Sequence, residues 1–555
     1  MTAHPFETHE VTNQSPPFEN LNLFTTDQPL REAVTREGAS WCFGELTDFG
    51  AKVGSARAFD MGRLANKHPP ELLRYDEKGN RIDRVEYHPA YHEAMAMSCA
   101  AGIHSRPWET GTAAARGGSQ VARLAHLYLM TQVEPGHLCP ITMTHAAHPA
   151  LSLAPDLHAS LLPKLTSREY DGAAIPLDQK RSMTIGMAMT EKQGGTDVRA
   201  NATTATPLGP SGSGESYRLS GHKWFMSAPM SDAFLMLAQA PGGLSCFFVP
   251  RLREDGTVNA LRLERLKSKL GNRSNASSEL ELAGAEAVLV GDEGRGVPVI
   301  IQMASLTRLD CAVSSAGQMR LALALAVHHC RHRRVFQKTL IDQPLMAAVL
   351  ADMAVDVEAA TALAFRLARA FDKAADDAAE AAWARVMTPV TKYWNCKIAP
   401  ALGYEALECL GGNGYVEDGL AARLYRELPL NAIWEGSGNV MCLDVLRCLT
   451  READKARLVL DELARLATGD PHLGAALRDI ESLLEETALE ERRARDLVER
   501  LALVAAGTLL RQGAAAAVGD AFIAQRLAAG FRQTYGSGPP IDKAGTILDR
   551  AFMAG

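Results

Sequence analysis

No two of the ten cysteines, which run from Cys42 to Cys448, stand as a C-x-x-C pair. Disulfide frameworks and zinc knuckles need paired thiols, so the spacing argues for reduced cysteines and a cytoplasmic setting. Aromatic residues are only 6% of the 555 residues while alanine is abundant, a balance that leans toward helix. No uninterrupted apolar run reaches about 18 residues, so no membrane-spanning helix is expected. The start, Met1 to Glu7, has neither the basic nor the apolar segment of a secretory signal. The end, Phe552 to Gly555, is not a peroxisomal or prenylation address. Excess positive charge is also lacking. At a net charge of −7 the averaged field draws the chain to neither nucleic acid nor membrane, which leaves only local patches.

What is present is ordinary for a soluble protein, with 47% hydrophobic and 22% charged residues. The length exceeds one core and implies about two to four domains. Residues 1–40 are polar and turn-rich, with Leu23 and Phe24 as isolated anchors, and read either as an extended arm lying on something or as a loose terminus. Residues 41–182 have mostly helical spacing, with a proline- and glycine-punctuated loop expected over 66–85. Over 183–295, short alternating runs separated by turn signals predict an antiparallel β-barrel or sandwich, with Pro207 to Gly214 as a hairpin tip. Helices return over 296–449, where Val349, Met353, Val357, Ala360, Ala364, Leu367 and Phe371 make one apolar stripe. Residues 450–555 form a further helical domain. The fold class is therefore α+β and mostly helical, in α–β–α order.

Several segments carry possible chemistry. In Ile433-Trp434-Glu435-Gly436-Ser437-Gly438-Asn439, a carboxylate beside a large aromatic can project into an apolar cleft and act as a base. The same letters fit a helix N-terminus with Glu435 in its first turn. Met187-Ala188-Met189-Thr190, followed by Gly195-Thr196, offers a hydroxyl and backbone donors suited to a flavin edge or a phosphate, or is only a polar interdomain loop. Phe225-Met226-Ser227 could cover a planar ring or sit in a core. Arg333 and Phe336 lie in a cationic helix end, and Gly411-Gly412-Asn413-Gly414 is a glycine-rich turn that follows no strand, so it is not a Rossmann loop. His328, His329 and His332 suit a surface cluster better than a zinc site, and no metal is expected.

In this order the segments resemble the acyl-CoA dehydrogenase superfamily, whose signature runs T-E-x-x-x-G-S/T-D, K-x-W-I-T/S, K-x-G-x-R-x-S, R-x-x-F-G, G-G-x-G-Y and Y-E-G-T/S. The matching stretches are Thr190-Glu191 with Gly195 to Asp197, Lys223 to Ser227, Lys269 to Ser274, Arg333 to Phe336, Gly411 to Tyr415 and Trp434 to Ser437. The resemblance implies an N-terminal helical domain, a β domain and a C-terminal four-helix bundle. It also implies FAD as cofactor and a tetramer built as a dimer of dimers. Met187 to Thr190 and Phe225 to Ser227 would then contact the isoalloxazine, and the neighbourhood of Arg333 and Gly411 to Gly414 would meet a neighbouring subunit's cofactor. Glu435 would remove the α-proton of an acyl-CoA while the β-hydride goes to flavin N5. Ser227, Phe225, Gln337 and Trp434 depart from the commoner threonine, tryptophan, glycine and tyrosine, and Trp434 would narrow an acyl pocket.

Further stretches, among them Arg36 to Trp41, Cys139 to Thr144, Lys269 to Ala276 and Asn439 to Arg447, look like the AidB branch of alkylation-response flavoproteins. That branch implies weak or no acyl-CoA dehydrogenase activity and binding of double-stranded DNA, with an acyl-CoA or an alkylating small molecule as further partner. The alternative is a genuine acyl-CoA dehydrogenase with an unusual substrate. Arg447, Arg451, Lys455 and Arg457 are the DNA-contact candidates. From Leu446 onward, however, 15 lysines and arginines face 16 aspartates and glutamates, a balance that favours a solvated helical surface over a phosphate-binding one.

Overall fold

The structure, a computed structural model, describes residues 8–109, 117–485, 491–513, 515–528 and 541–552. The two termini read above for targeting signals, Met1 to Glu7 and Met553 to Gly555, lie outside the described residues.

The polar N-terminal segment is an arm that lies on the protein. The Asn13 amide donates to the Arg334 carbonyl at 2.8 Å and its oxygen accepts from the Arg334 N–H at 2.7 Å. Leu23 and Phe24, the isolated anchors, are buried. The arm approaches so closely that a β-carbon on Gly54 would sit 1.7 Å from the Leu21 carbonyl oxygen. It is not extended throughout, because Gln28–Arg36 is a helix capped by the Asp27 carboxylate, which accepts from the Leu30 N–H.

Helices Phe43–Val53, Ala56–Lys67, Pro89–Ala100, Ser119–Met130, Leu138–Leu151 and Pro155–Leu165 follow. The expected loop over 66–85 is instead a β-hairpin, Glu71–Tyr75 paired with Arg81–Glu86. Pro69, Pro70 and the Gly79–Asn80 turn bound the strands rather than dissolve them, and Leu72 pairs with the buried Val85. Arg81 docks this hairpin on the next domain by donating to the Leu263 carbonyl and the Glu264 carboxylate.

The β domain has seven strands. Ala233–Ala240, Thr204–Pro207, Ser216–Ser227, Ser277–Val290 and Gly243–Pro250 pair in turn, and the last pairs again with the first, closing a barrel. Ile185–Ala188 and Leu261–Leu266 add to its rim. The sheet is not wholly antiparallel, since Ile185–Ala188 runs parallel to Ala233–Ala240. Strand Ala233–Ala240 is buried on both faces. Phe234, Met236 and Ala238 fill the barrel, while Ala233, Leu235 and Leu237 pack on Ala146, Leu151 and Met303 of the helices. The two-residue period of a strand thus fastens the barrel to its helical neighbours.

Helices Gly296–His332, Pro344–Lys373, Ala378–Cys409 and Gly438–Arg451 form the second helical layer. The first of these is long and apolar enough to cross a membrane by length and composition, but most of its residues are buried against other helices. The predicted stripe on Pro344–Lys373 is core from Met353 to Leu367. The C-terminal helices are fastened to that same helix by ion pairs, Arg526 with Asp352 and Asp356, and Arg550 with Glu358.

Candidate active site

Glu435 sits on a loop just before helix Gly438–Arg451, with a left-handed backbone at φ +59°. It is therefore not in the first turn of that helix. A non-glycine residue in this region costs on the order of 1–3 kcal/mol and persists only when its surroundings over-determine it. Here they do. The carbonyls of Trp434, Glu435 and Gly436 each accept from a cationic side chain. Lys392 Nζ donates to Trp434 O at 2.7 Å and also to Gly436 O, while Arg308 Nε donates to Glu435 O at 3.0 Å. Arg308 is itself held by Asp444 at 2.8 Å. The Glu435 carboxylate accepts from the Thr307 hydroxyl at 2.6 Å. Gly436, at φ +99°, completes the turn, and a β-carbon there would meet the Met441 methyl at 2.6 Å.

Trp434 is fixed by its indole N–H, which donates to Asn431 Oδ1 at 3.0 Å. Its ring joins Met187 against Cys139, Met143 and Ala228, so four parts of the chain form one apolar wall beside the carboxylate. Ile433 and Ser437 are exposed, Gly438 is buried, and the Asn439 side-chain oxygen accepts from Arg495 of the C-terminal region at 2.8 Å.

Met187 and Ala188 end strand Ile185–Ala188, and Met189 and Thr190 lead out of it. Gly195 folds back under Thr190, where a β-carbon would come within 2.2 Å of the Thr190 hydroxyl, and Thr196 follows, exposed. The loop is locked by Glu191, fully buried, which pairs with Lys223 at 2.7 Å and accepts from the Ala202 N–H. Burial alone would raise the Glu191 carboxyl, but Lys223 and these N–H donors outweigh it and hold it at about 2. On strand Ser216–Ser227, Met226 points into the barrel core, so only its backbone is available to a ligand, as is that of Ala188. Phe225 is 47% exposed, and Ser227 stands near Ser277.

Asn275 is 1% exposed, yet among the described residues neither polar atom of its carboxamide is within full hydrogen-bond geometry of a partner. Lys269 beside it donates to the Asn275 carbonyl and to Ser277, and burial pushes its ammonium down to about 8. Asn275, not Ser274, is the seventh residue counted from Lys269. Ser274 is used elsewhere, donating to Glu134 at 2.6 Å.

The remaining predicted segments lie apart. Arg333 donates to the Asn13 carbonyl, Phe336 is 91% exposed, and Gly411, Gly412 and Asn413 are exposed while Gly414 packs under Leu407. Among the described residues, none of their hydrogen bonds reaches the network around Glu435. Arg447, Arg451, Lys455 and Arg457 are exposed. Lys455 pairs with Glu452 at 2.8 Å, and Arg447 lies 4.0 Å from Asp444. His328 and His332 are engaged with the Pro16 and His328 carbonyls, and among the described residues no cluster of three or more ligating side chains could hold a metal ion.

Three family models match in series: the adaptive response protein AidB N-terminal domain over residues 13–172, the acyl-CoA dehydrogenase middle domain over 186–285, and the acyl-CoA dehydrogenase C-terminal domain over 294–450. AidB of Escherichia coli is 49% identical over 503 residues, covering 90% of this chain and 91% of that protein. The chain belongs to the acyl-CoA dehydrogenase family, in its AidB branch. Acyl-CoA dehydrogenase family member 11 of Caenorhabditis elegans is 32% identical over 83% of this chain and 76% of its own. A solved structure of C. elegans ACDH-11 in complex with C11-CoA superposes with a TM-score of 0.83 over 99% of this chain and 95% of that one, at 27% identity. The apo form of Bd2924 superposes at 0.82, with 28% identity, over 90% and 99%.

FAD is the cofactor of this family and of this chain. The residues present fit it. Phe225 offers a half-exposed ring, Met187 and Trp434 offer apolar surface, and the buried Asn275 carboxamide, beside the Cys139 thiol, retains hydrogen-bonding capacity. Thr307, Arg308, Lys392, Lys269, Asn275 and Cys139 were not singled out as site residues from the sequence. Lys269 and Asn275 carry a signal through their places in the lysine–glycine–arginine pattern, and Cys139 through the stretch it opens.

Proposed function

We propose that the chain is an FAD-dependent oxidoreductase acting on acyl-CoA thioesters, with Glu435 as the base that takes the α-proton. The carrying observation is the Glu435 loop, a strained backbone clamped by Lys392 and Arg308 with its carboxylate aimed by Thr307. Such fixing serves proton abstraction, because a base must be held within hydrogen-bond reach of the carbon acid while water is kept away. Trp434, Met143 and Cys139 supply the apolar wall that excludes water. Bound FAD supplies the acceptor for the β-hydride. Met187 to Thr190, Gly195, Thr196, Phe225 to Ser227, Ile433, Trp434 and Gly436 to Asn439 would hold it, and the C11-CoA complex of the C. elegans relative supports the thioester reading. Anaerobic mixing with a panel of acyl-CoAs tests it. Flavin bleaching that disappears in Glu435→Gln is expected, and no bleaching with any thioester rejects the reading.

A second reading rests on the 49% identity to AidB and on the adaptive-response N-terminal domain. In it the chain serves the alkylation response, binds double-stranded DNA through Arg447, Arg451, Lys455 and Arg457, and turns over acyl-CoA weakly or not at all. The exposed cations of that stretch favour it. Against it, Arg500, Arg511, Arg526 and Arg550 are all spent on internal ion pairs. Assembly belongs to the same proposal. The exposed Phe336 and Tyr415, 91% and 86%, suit burial in a tetramer in which Arg333 and Gly411 to Gly414 meet a neighbouring subunit's cofactor. Sedimentation equilibrium showing a monomer would reject that arrangement. A cytoplasmic placement is supported by ten cysteines that are all free.

A further inference from the structure

A cavity of about 560 Å³ opens beside the Trp434 wall, between hairpin Glu71–Glu86, helix Pro89–Ala100 and the turn that follows strand Ser216–Ser227. That volume is within the range of small-molecule sites, about 300–1,000 Å³. Ala228 stands in both walls, so the cavity adjoins the candidate active site without being part of it.

The cavity has two chemically different sides. One is a continuous aromatic surface. Tyr87 stacks on Tyr91 with ring centroids 4.2 Å apart, and His92 stacks on Tyr170 at 5.9 Å, tied to its hydroxyl at 2.9 Å. The other side is charged, with the cations Lys180 and Arg251 set among the carboxylates Asp171 and Asp232. Lys180 is already satisfied, by Asp232 at 3.1 Å and by the Asp171 and Ala173 carbonyls. Arg251 is not. It is 8% exposed, its Nε donates to the Ser231 carbonyl at 3.2 Å, and among the described residues its two terminal nitrogens donate to nothing. Ser231 itself is 3% exposed, and among the described residues its hydroxyl has no partner.

Two guanidinium nitrogens without a protein partner, beside a buried hydroxyl that also lacks one, are polar groups that a ligand in the cavity can complete. A carboxylate does so, since its two oxygens match the planar fork of the guanidinium and leave a lone pair for the serine. The aromatic wall then asks for a flat apolar body. We propose that this cavity is a binding site for an aromatic carboxylate, recognised by Arg251 and Ser231 through its anionic end and by the Tyr87–Tyr91 and His92–Tyr170 wall through its ring. The group arrives either as a free acid or as the far end of an acyl thioester.

Isothermal titration of the purified, FAD-loaded protein with 2-naphthoate and with 2-naphthylmethanol, its neutral counterpart, tests the assignment. The acid is expected to bind about tenfold or more tightly than the alcohol. Arg251→Gln should abolish that preference, and Ser231→Ala should reduce it, with melting curves showing that both variants are folded. Equal affinity for acid and alcohol, a preference that survives Arg251→Gln, or no binding of 2-naphthoate overturns the proposal. Should Arg251→Gln fail to fold, the acid–alcohol comparison on the unaltered protein decides alone. Competition with butyryl-CoA separates the two sources, displacement assigning the cavity to the acyl end of a thioester and simultaneous binding assigning it to a separate acid. None of these measurements needs turnover, so the proposal stands or falls independently of the reading of Glu435 as a base.

Discussion

Lys392 holds the carbonyl of Trp434 at 2.7 Å from its ammonium nitrogen, across 42 residues of sequence and with its side chain almost wholly buried. The same nitrogen reaches the carbonyl of Gly436, so one cation grips the backbone on both sides of Glu435. This makes Lys392 a positioning residue. Lys392→Met keeps most of the side-chain volume but leaves two half-buried carbonyls without their ammonium donor, at a cost of about 1–3 kcal/mol. Losing the grip also frees a loop held in a strained conformation. The flavin reduction rate with the best thioester is expected to fall about 100-fold while its binding changes little, the pattern of a misplaced catalytic group. Stopped-flow reduction beside a binding titration distinguishes this from plain destabilisation, in which rate per folded molecule would be preserved.

Thr307 is the direct neighbour of the carboxylate, with its hydroxyl 2.6 Å from Glu435 Oε2. Thr307→Val keeps the shape and removes the donor. A hydrogen bond to a charged group contributes about 1.5–3 kcal/mol, so a rate loss of at least about tenfold is expected, with no loss of FAD. Thr307→Ser restores the donor and should recover most of the rate. Failure of serine to rescue would show that the hydroxyl does not orient the base.

The strand–helix order and the segment carrying Glu435 were legible because each depends on local pattern. Met353 to Leu367 step at helical spacing, and Ser216 to Ser220 alternate at the period of a strand. What could not be read depends on contacts between distant residues. Nothing near Lys392 announces that it meets Trp434, and nothing in Asn275 announces that its carboxamide is buried with hydrogen-bonding capacity to spare. The hairpin at 71–86 was hidden for another reason. Its prolines and glycine dominate the local signal, while the support for its strands comes from Arg81 reaching across to Leu263 and Glu264.

Glu134 joins the first helical domain to the β domain. It accepts from Asn66, from the Gly136 and His137 N–H groups and from Ser274. Burial would raise its carboxyl, but His137 and these donors prevail and hold it at about 2. A carboxyl depressed in the folded state stabilises above its unfolded pKa, near about 4.3, and loses that contribution as pH falls through its folded value. Glu134→Gln should therefore cost on the order of 3 kcal/mol at pH 7, and the difference from the unaltered protein should shrink between about pH 4.5 and 2. Urea denaturation at several pH values measures it. A difference that stays constant down to about pH 2 would mean that the carboxylate charge is not what holds the domains together.

If the chain binds duplex DNA through its exposed cations, Arg451 and Arg457 are the informative pair, because both are exposed and, among the described residues, neither is engaged in an ion pair. Each phosphate contact contributes about 0.9 to the slope of log affinity against log salt. The double substitution Arg451→Gln and Arg457→Gln should thus weaken binding about equally for unrelated sequences and reduce that slope by about 2. Arg526→Gln is the contrasting variant, since Arg526 is committed to Asp352 and Asp356. It should lower thermal stability and leave the salt slope unchanged. Fluorescence anisotropy with a labelled duplex from low to moderate salt reads both quantities. An unchanged slope in the double variant would remove this stretch as the phosphate-binding face, and a slope near zero in the unaltered protein would remove duplex binding altogether.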